Sequence, residues 1–130
     1  MELGREPCEQ RGGEEAVFLM FLRGDILIAS FPYDDGPGYK LRPVLFWGYD
    51  GGDVVVSMIT SKFHDYEWQV PLPEALDTGL DLKSYVRLDR TRALSVSKVG
   101  MSGAVGRLDD DTMDVIAEKM REYRKKFQLG

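Results

Sequence analysis

Residues 43–60 read PVLFWGYDGGDVVVSMIT, and this stretch decides the fold. Two runs rich in branched and aromatic residues flank Asp50-Gly51-Gly52, a polar step containing the glycines that tight hairpin turns favour. Residues 43–49 and 53–60 are therefore predicted to be two antiparallel strands. Such a hairpin indicates a protein built mainly of β-structure.

Further short strand signals lie on both sides of this hairpin. Strands are predicted at residues 25–31, 69–72 and 84–94, where branched and aromatic residues concentrate. Residues 31–41 read FPYDDGPGYKL, and their two prolines and two glycines predict irregular structure.

The last part of the chain has a helical pattern instead. Its apolar residues are spaced three or four apart, which places them on one face of an amphipathic helix: Met113, Ile116, Met120, Tyr123 and Phe127. Acids open the segment at 109–111 and bases close it at 121–126, as the helix dipole favours. We expect a strongly bent antiparallel sheet or small barrel with one C-terminal helix packed against it.

Length and composition indicate one ordinary globular domain. The chain has 130 residues, 43% hydrophobic and 30% charged, with net charge −5. That charge argues against a protein that coats nucleic acid nonspecifically, because such binding neutralises phosphates. The longest apolar run, residues 16–22, is too short to span a bilayer and lacks the flanks of a secretory signal. With Cys8 as the only cysteine, we expect no internal disulfide, no membrane association and a cytoplasmic location.

The charge is unevenly distributed along the chain. Residues 1–19 hold five acidic and two basic residues and show no apolar periodicity up to residue 15. We predict that 1–19 is an acidic, flexible N-terminal extension and that 20–130 form a single domain.

Few conventional catalytic groups are present. The single histidine, His64, and the absence of a cysteine pair or an HExxH spacing make a zinc site improbable. No GxGxxG or Walker pattern occurs, so we expect neither a metal nor a cofactor.

Arginine and hydroxyl residues are the more informative groups. Arg42 stands where a loop enters a strand, directly before Pro43, which biases its backbone towards an extended conformation. Thr60 and Ser61 end a hydrophobic strand, where hydroxyls are well placed to bind a phosphate oxygen.

The strand at 84–94 presents an arginine and a carboxylate on one face. Arg87 and Asp89 are two residues apart and so share a face. The arginine can grip a phosphate in a bidentate manner, and the carboxylate can accept a proton. The alternative is an ordinary surface ion pair, worth under about 1 kcal/mol.

A series of short motifs, in order over about residues 20–125, resembles the MazF/PemK (Kid) family of toxin–antitoxin ribonucleases. The motifs are Arg23-Gly24-Asp25-Ile26, Phe31-Pro32, Arg42-Pro43-Val44-Leu45, Met58-Ile59-Thr60-Ser61, Thr78-Gly79-Leu80, Ser84, Val86-Arg87-Leu88-Asp89 with Arg92, and Val105-Gly106-Arg107-Leu108-Asp109. Each motif alone is weak, but together they occur at family-like spacing.

The resemblance implies an SH3-like barrel with a C-terminal helix, acting as a homodimer that cleaves single-stranded RNA without a metal. It implies attack by the 2′-hydroxyl, giving a 2′,3′-cyclic phosphate and a 5′-hydroxyl. Arg42 and Thr60 match the family's catalytic arginine and strand-end hydroxyl, and Arg87 and Asp89 match its Arg-x-Asp pair.

The resemblance also implies a protein partner, an antitoxin whose acidic, disordered tail occupies the RNA groove. A cluster of basic residues suits either anionic ligand. The expected RNA-binding residues beside the catalytic four are Lys40, Ser61, Lys62, Arg90 and Arg92.

Two departures and two alternatives accompany this interpretation. The loop at 33–40 lacks the histidine of some members, and the acidic extension is atypical. One alternative is a gyrase-inhibiting toxin of the CcdB type, although such inhibitors carry a tryptophan near the C-terminus and here Trp47 and Trp68 are internal. The other is a catalytically inactive relative retained for antitoxin binding.

Overall fold

A computed structural model describes residues 21–33, 35–63, 65, 67–73 and 83–127, apart from the side chains of 101 and 102. The predicted extension at 1–19, His64 and the motif at 78–80 lie outside the described residues. Among the described helices, none combines the length and the apolar character that crossing a membrane would require.

Six strands form one sheet in the order β4-β5-β3-β2-β1-β6. The strands are β1 (Asp25–Pro32), β2 (Tyr39–Asp50), β3 (Asp53–Thr60), β4 (Gln69–Pro71), β5 (Tyr85–Ser95) and β6 (Val99–Arg107). A 3-10 turn, Val96–Lys98, joins β5 to β6, and helix α1, Asp110–Lys126, follows. All neighbouring strands pair antiparallel.

The expected fold class, mainly β with one C-terminal helix, is confirmed. In the described part of the chain β4 and β6 are the outer strands and do not pair with each other. The sheet is therefore open at these edges, whereas the expected barrel would be closed.

The central hairpin forms as predicted. Asp50 lies opposite Asp53, which leaves Gly51 and Gly52 as a two-residue loop. Gly51 has φ +63, a left-handed conformation that glycine adopts without steric cost. Local sequence is enough to specify this turn.

One prediction about the strands was wrong, and one strand was not predicted. Residues 31–41 are not irregular throughout, because β1 continues to Pro32 and β2 begins at Tyr39, with Pro32 opposite Tyr39. Strand β6 was not predicted, since its sequence, VGMSGAVGR, has three glycines and no apolar alternation. Pairing with β1 forms it, and a side chain at Gly100 would come within 3.1 Å of the Ile28 carbonyl oxygen.

Apolar residues are buried on both faces of the sheet, in two clusters. The helix face carries Ile26, Leu45, Ile59, Leu72, Val86 and Leu88, packed against Met113, Ile116 and Met120 of α1. The opposite face, called here the far face, carries Leu27, Ala29, Phe31, Val44, Phe46, Val54, Val56, Met58, Leu94 and Val99, with Phe21. Five strands contribute to the far-face cluster, so the sheet must bend to bring these residues into contact. Each large apolar side chain buried this way contributes about 1.5–3 kcal/mol.

Helix α1 begins where its acids predicted. Asp109 is the N-cap, and its carboxylate accepts the Thr112 amide N–H at 2.7 Å. Hydrogen bonding from Thr112, first from its side chain and then from its backbone, lowers the pKa of Asp109. Of the predicted apolar stripe, Met113, Ile116 and Met120 are buried, while Phe127 caps the C-terminus and is exposed.

An ion pair, called here the clamp, joins the start of β1 to the end of β6. The buried Asp25 carboxylate accepts from Arg107 and also from the Leu22 amide at 2.8 Å. Gly24, at φ +100, lets its own N–H reach the Phe46 carbonyl at 3.0 Å. The first and last motifs of the family resemblance therefore contact each other.

Candidate functional site

The strand register places Arg42, Thr60 and Arg87 on one face of three neighbouring strands. Val44 lies opposite Met58, which lies opposite Arg87. Directly opposed residues share a face of the sheet, as do residues two apart on one strand. Arg42 and Thr60 lie two residues beyond Val44 and Met58 on their own strands and therefore share the face of that pair. The three residues therefore lie on the far face, at the end of β3.

Strand β5 carries a bulge next to these residues. Ser57 pairs with Thr91 while the next β3 residue, Met58, pairs with Arg87, so residues 88–90 are looped out of the ladder. The Thr91 hydroxyl donates to the Leu88 carbonyl at 2.8 Å. The same hydroxyl lies 2.5 Å from the Ser57 hydroxyl. The Ser57 hydroxyl in turn accepts the Trp47 indole N–H at 2.7 Å. Bulges redirect side chains, and this hydrogen-bonded one carries Asp89 and Arg90.

Arg42 is half-buried and weakly hydrogen-bonded. Its Nη1 donates to the Met58 sulfur at 3.3 Å, a poor acceptor, and its buried Nε has no hydrogen-bond partner. A buried donor left unpaired costs about 1–3 kcal/mol. An anionic oxygen bound at this guanidinium would offset part of that cost.

Arg87 and Asp89 form a bidentate ion pair. The Asp89 carboxylate accepts from Arg87 Nη2 at 2.6 Å and from Nε at 3.2 Å. The arginine side chain is 13% exposed and the carboxylate side chain 31%. The pair is thus neither a loose surface contact nor fully enclosed, and solvent reaches it through the carboxylate.

The hydroxyl of Thr60 organises the loop that follows β3. Its Oγ1 accepts the Lys62 amide N–H at 3.1 Å. The side chains of Ser61 and Lys62 are exposed beyond it. The oxygen of Thr60 can still donate its own proton to a ligand.

The other predicted RNA-binding residues have different surroundings. Lys40 is exposed near the start of β2. Arg90 is half-buried, donates to the Pro32 carbonyl at 2.9 Å and stacks over the Phe31 ring, which makes it a tie between β5 and the end of β1. Arg92 lies opposite Val56 and donates to the Thr91 carbonyl at 2.9 Å.

Residue-level reasoning missed two neighbours of this site. Gln69, buried on β4, lies opposite Arg87 and donates to the Lys62 carbonyl at 2.8 Å. Phe63 follows the predicted residues 60–62 directly and is exposed. The position of Phe63 next to residues 60–62 in the sequence could have identified it. Gln69, in contrast, is brought to the site only by strand pairing.

The arrangement combines two arginines, one hydroxyl and one carboxylate on the far face. Such groups can bind a phosphodiester, and the carboxylate can accept a proton from a neighbouring hydroxyl. In the described part of the chain, histidine, cysteine, aspartate and glutamate form no group of three that could hold a metal ion.

Comparison with known proteins identifies a family and a set of similar structures. Residues 22–123 match the model of a family described as PemK-like, MazF-like toxin of type II toxin-antitoxin system. A search of curated proteins returned no match.

Solved structures with the same fold come from several bacteria. The Mycobacterium tuberculosis toxin MazF-mt6 is 25% identical, with TM-score 0.58 over 80% of this chain and 98% of that one. An endoribonuclease in complex with its cognate antitoxin from Mycobacterial species is 22% identical, with TM-score 0.60 over 84% and 96%. The MazE–MazF complex from Deinococcus radiodurans (Form-III) is 21% identical, with TM-score 0.58 over 77% and 92%. The family match spans most of the chain, and the chain therefore belongs to the PemK-like, MazF-like toxins of type II toxin–antitoxin systems.

Proposed function

We propose that this toxin is an endoribonuclease that cuts single-stranded RNA without a metal ion. The observation that carries the proposal is the half-buried guanidinium of Arg42, which has an unpartnered Nε and lies on the same face of the sheet as Thr60 and Arg87. A cation in this setting is suited to an anionic oxygen. Family membership supports an RNA phosphodiester as that ligand.

The reaction follows from what each group can do. The 2′-oxygen of the ribose attacks the adjacent phosphorus and loses its proton to Asp89, while the bond from phosphorus to the 5′-oxygen breaks. The leaving oxygen takes a proton from solvent, which gives a 2′,3′-cyclic phosphate and a 5′-hydroxyl. Asp89 remains able to accept a proton because each carboxylate oxygen has a second lone pair beyond the hydrogen bond from Arg87.

Charge stabilisation is assigned to the two arginines. The phosphate gains negative charge as the 2′-oxygen adds, and donors that are already oriented stabilise that charge most effectively. The Asp89 carboxylate holds the Arg87 guanidinium in place, and Met58 contacts that of Arg42. Thr60 binds a nonbridging oxygen, and the exposed cations of Lys40 and Lys62 attract the flanking phosphates.

The same face is proposed to bind a protein inhibitor. An endoribonuclease from Mycobacterial species has been solved in complex with its cognate antitoxin, and MazF from Deinococcus radiodurans has been solved with MazE. An acidic antitoxin segment would be attracted to the cations around Arg42 as an RNA backbone would. We further propose that the chain acts as a cytoplasmic homodimer, which light scattering after gel filtration would check.

The decisive experiment maps RNA 5′ ends after brief exposure of total RNA to the purified protein in EDTA. We expect new 5′-hydroxyl ends at a recurrent sequence. Arg42→Ala should reduce cleavage by about 100-fold or more, since removing one charge-stabilising donor typically costs that much, and the melting temperature should stay within a few degrees. Arg23→Ala is the matched control, because Arg23 stacks on Trp47 and lies outside the site.

Other outcomes would reassign the protein. Equal loss of folding and cleavage in Arg42→Ala would remove the catalytic role of Arg42. Antitoxin binding without cleavage of any RNA would indicate a catalytically inactive toxin, and inhibition of DNA supercoiling without RNA cleavage would indicate a gyrase inhibitor on the same fold.

A further inference from the structure

An unusually exposed aromatic ring lies beside the proposed cleavage site. Phe63 is 66% exposed, and it follows Thr60-Ser61-Lys62 at the end of β3. A phenylalanine this exposed forgoes most of the free energy that burial of its ring would provide. The position therefore calls for a reason other than core packing.

The ring is held in place although it is exposed. Its loop is fixed by the hydrogen bond from the Lys62 amide to Thr60 Oγ1 at 3.1 Å and by the one from Gln69 Nε2 to the Lys62 carbonyl at 2.8 Å. The Phe63 ring also contacts the Tyr85 ring, with centroids 5.5 Å apart and planes tilted by 57°. A ring ordered in advance loses little conformational entropy when a ligand binds it.

The position of Tyr85 relates Phe63 to the phosphate-binding groups. Tyr85 lies directly opposite Thr60 in the β3–β5 ladder, and Arg42 lies on the strand at the other side of β3, with its Nη1 3.3 Å from the Met58 sulfur. Neighbouring strands are about 4.8 Å apart, so Arg42 and Tyr85 are separated by roughly two strand spacings. The Phe63–Tyr85 pair thus lies beside the phosphate site, within the reach of an adjoining nucleotide.

We infer that Phe63, supported by Tyr85, is a stacking platform for one unpaired base of the RNA next to the cleaved phosphate. The inference rests on the proposed function and specifies how that site selects unpaired RNA. A base can stack on an exposed ring only when it is free of a complementary strand, and every base has a face that can do so. Lys62 adds a cation for the neighbouring phosphate. Phe63 therefore selects single-stranded RNA and contributes affinity with little sequence preference.

A second exposed aromatic residue provides the matched control. Phe127, at the end of α1, is 52% exposed and contacts Trp68 and Tyr123. Both of these partners belong to the helix-face cluster, on the side of the sheet opposite to the far face that carries Thr60. Phe127→Leu therefore makes the same chemical change outside the proposed site.

The test measures binding of a fluorescent single-stranded RNA of about 12 nucleotides, a length within the usual site size for such proteins. Complete 2′-O-methylation prevents 2′-oxygen attack, so that binding is measured without cleavage. Phe63→Leu should raise the Kd roughly tenfold, as loss of base stacking on an aromatic ring does. Phe63→Tyr should stay within about twofold of the original protein because it keeps the ring, and Phe127→Leu should leave the Kd unchanged.

An abasic strand of the same length separates stacking from charge attraction. The original protein should prefer the base-bearing strand, and Phe63→Leu should lose most of that preference while binding the abasic strand equally well. If Phe63→Leu and the original protein have the same Kd values for the base-bearing and abasic strands, Phe63 is not a stacking platform. This conclusion holds even if the protein cleaves unmodified RNA. If RNA binding depends on Phe63 but no RNA is cleaved, the stacking role of Phe63 stands and the proposed nuclease activity is wrong. If the protein does not bind RNA at all, both proposals are wrong.

Discussion

Two arginine–aspartate pairs in this protein have opposite patterns of burial. In the clamp, the Asp25 carboxylate is 8% exposed and the Arg107 side chain 47% exposed. In the candidate site, the Arg87 side chain is 13% exposed and the Asp89 carboxylate 31% exposed. The clamp buries its carboxylate, whereas the site pair buries its arginine.

The difference separates a structural ion pair from one that can take part in chemistry. Asp25 also accepts the Leu22 amide, so its oxygens are committed to the join between β1 and β6. Asp89 stands on a bulge outside the ladder, and Arg87 holds it in position. A carboxylate that solvent can reach is the one that can exchange a proton with a ligand.

The largest expected effect comes from Asp89→Asn. The amide keeps the shape of the carboxylate and cannot accept the 2′-hydroxyl proton, so cleavage should fall by about 100-fold or more, as loss of a general base does. The variant also leaves the Arg87 guanidinium, which is 13% exposed, without its carboxylate partner, so we expect a loss of about 1–3 kcal/mol of stability as well, and cleavage is compared per folded molecule. Single-turnover cleavage of RNA in EDTA measures the first effect and thermal unfolding the second. If cleavage is unchanged, a group other than Asp89 accepts the 2′-hydroxyl proton, and the Arg87–Asp89 pair has only a structural role.

Asp25→Asn should lower stability without lowering cleavage. An amide cannot pair with the Arg107 charge, and breaking a buried ion pair is costly; because Arg107 is half-exposed, we expect about 1–3 kcal/mol of lost stability. Chemical denaturation measures this loss, and cleavage per folded molecule should stay close to that of the original protein. A stable variant that no longer cleaves would contradict the division between clamp and site.

The smallest effect is expected at a third carboxylate, Asp109, which caps α1 on the helix face. Asp109→Ala should lower the melting temperature by a few degrees at neutral pH, whereas Asp111→Ala, its exposed neighbour in the first turn, should lower it less. Because the folded-state pKa of Asp109 is lowered, its contribution is present above the unfolded pKa of about 3.9 and is lost as pH falls through the folded value. The difference in melting temperature between Asp109→Ala and the original protein should therefore become smaller below about pH 4. A difference independent of pH would assign the effect to helix propensity.

The candidate site was predictable only in part from the sequence. Arg42, Thr60, Arg87 and Asp89 could be chosen because strand alternation and loop ends are local properties, and the family resemblance gave them roles. The bulge at 88–90 could not be predicted, since it depends on β3 pairing with two separate parts of β5. The position of Phe63 likewise depends on two other strands, because Tyr85 contacts its ring and Gln69 binds the preceding Lys62 carbonyl.

By itself, the sequence determined the hairpin at Asp50-Gly51-Gly52 and the start of α1 at Asp109, because a two-residue turn and a helix cap depend on residues a few positions apart. Only the tertiary structure decided that the glycine-rich residues Val99–Arg107 form a strand, since pairing with β1 overrides their weak local preference. It also decided which ion pair is the clamp and which lies in the site. Burial is set by what the rest of the chain places around a side chain, and no local pattern distinguishes Asp25 from Asp89 in that respect.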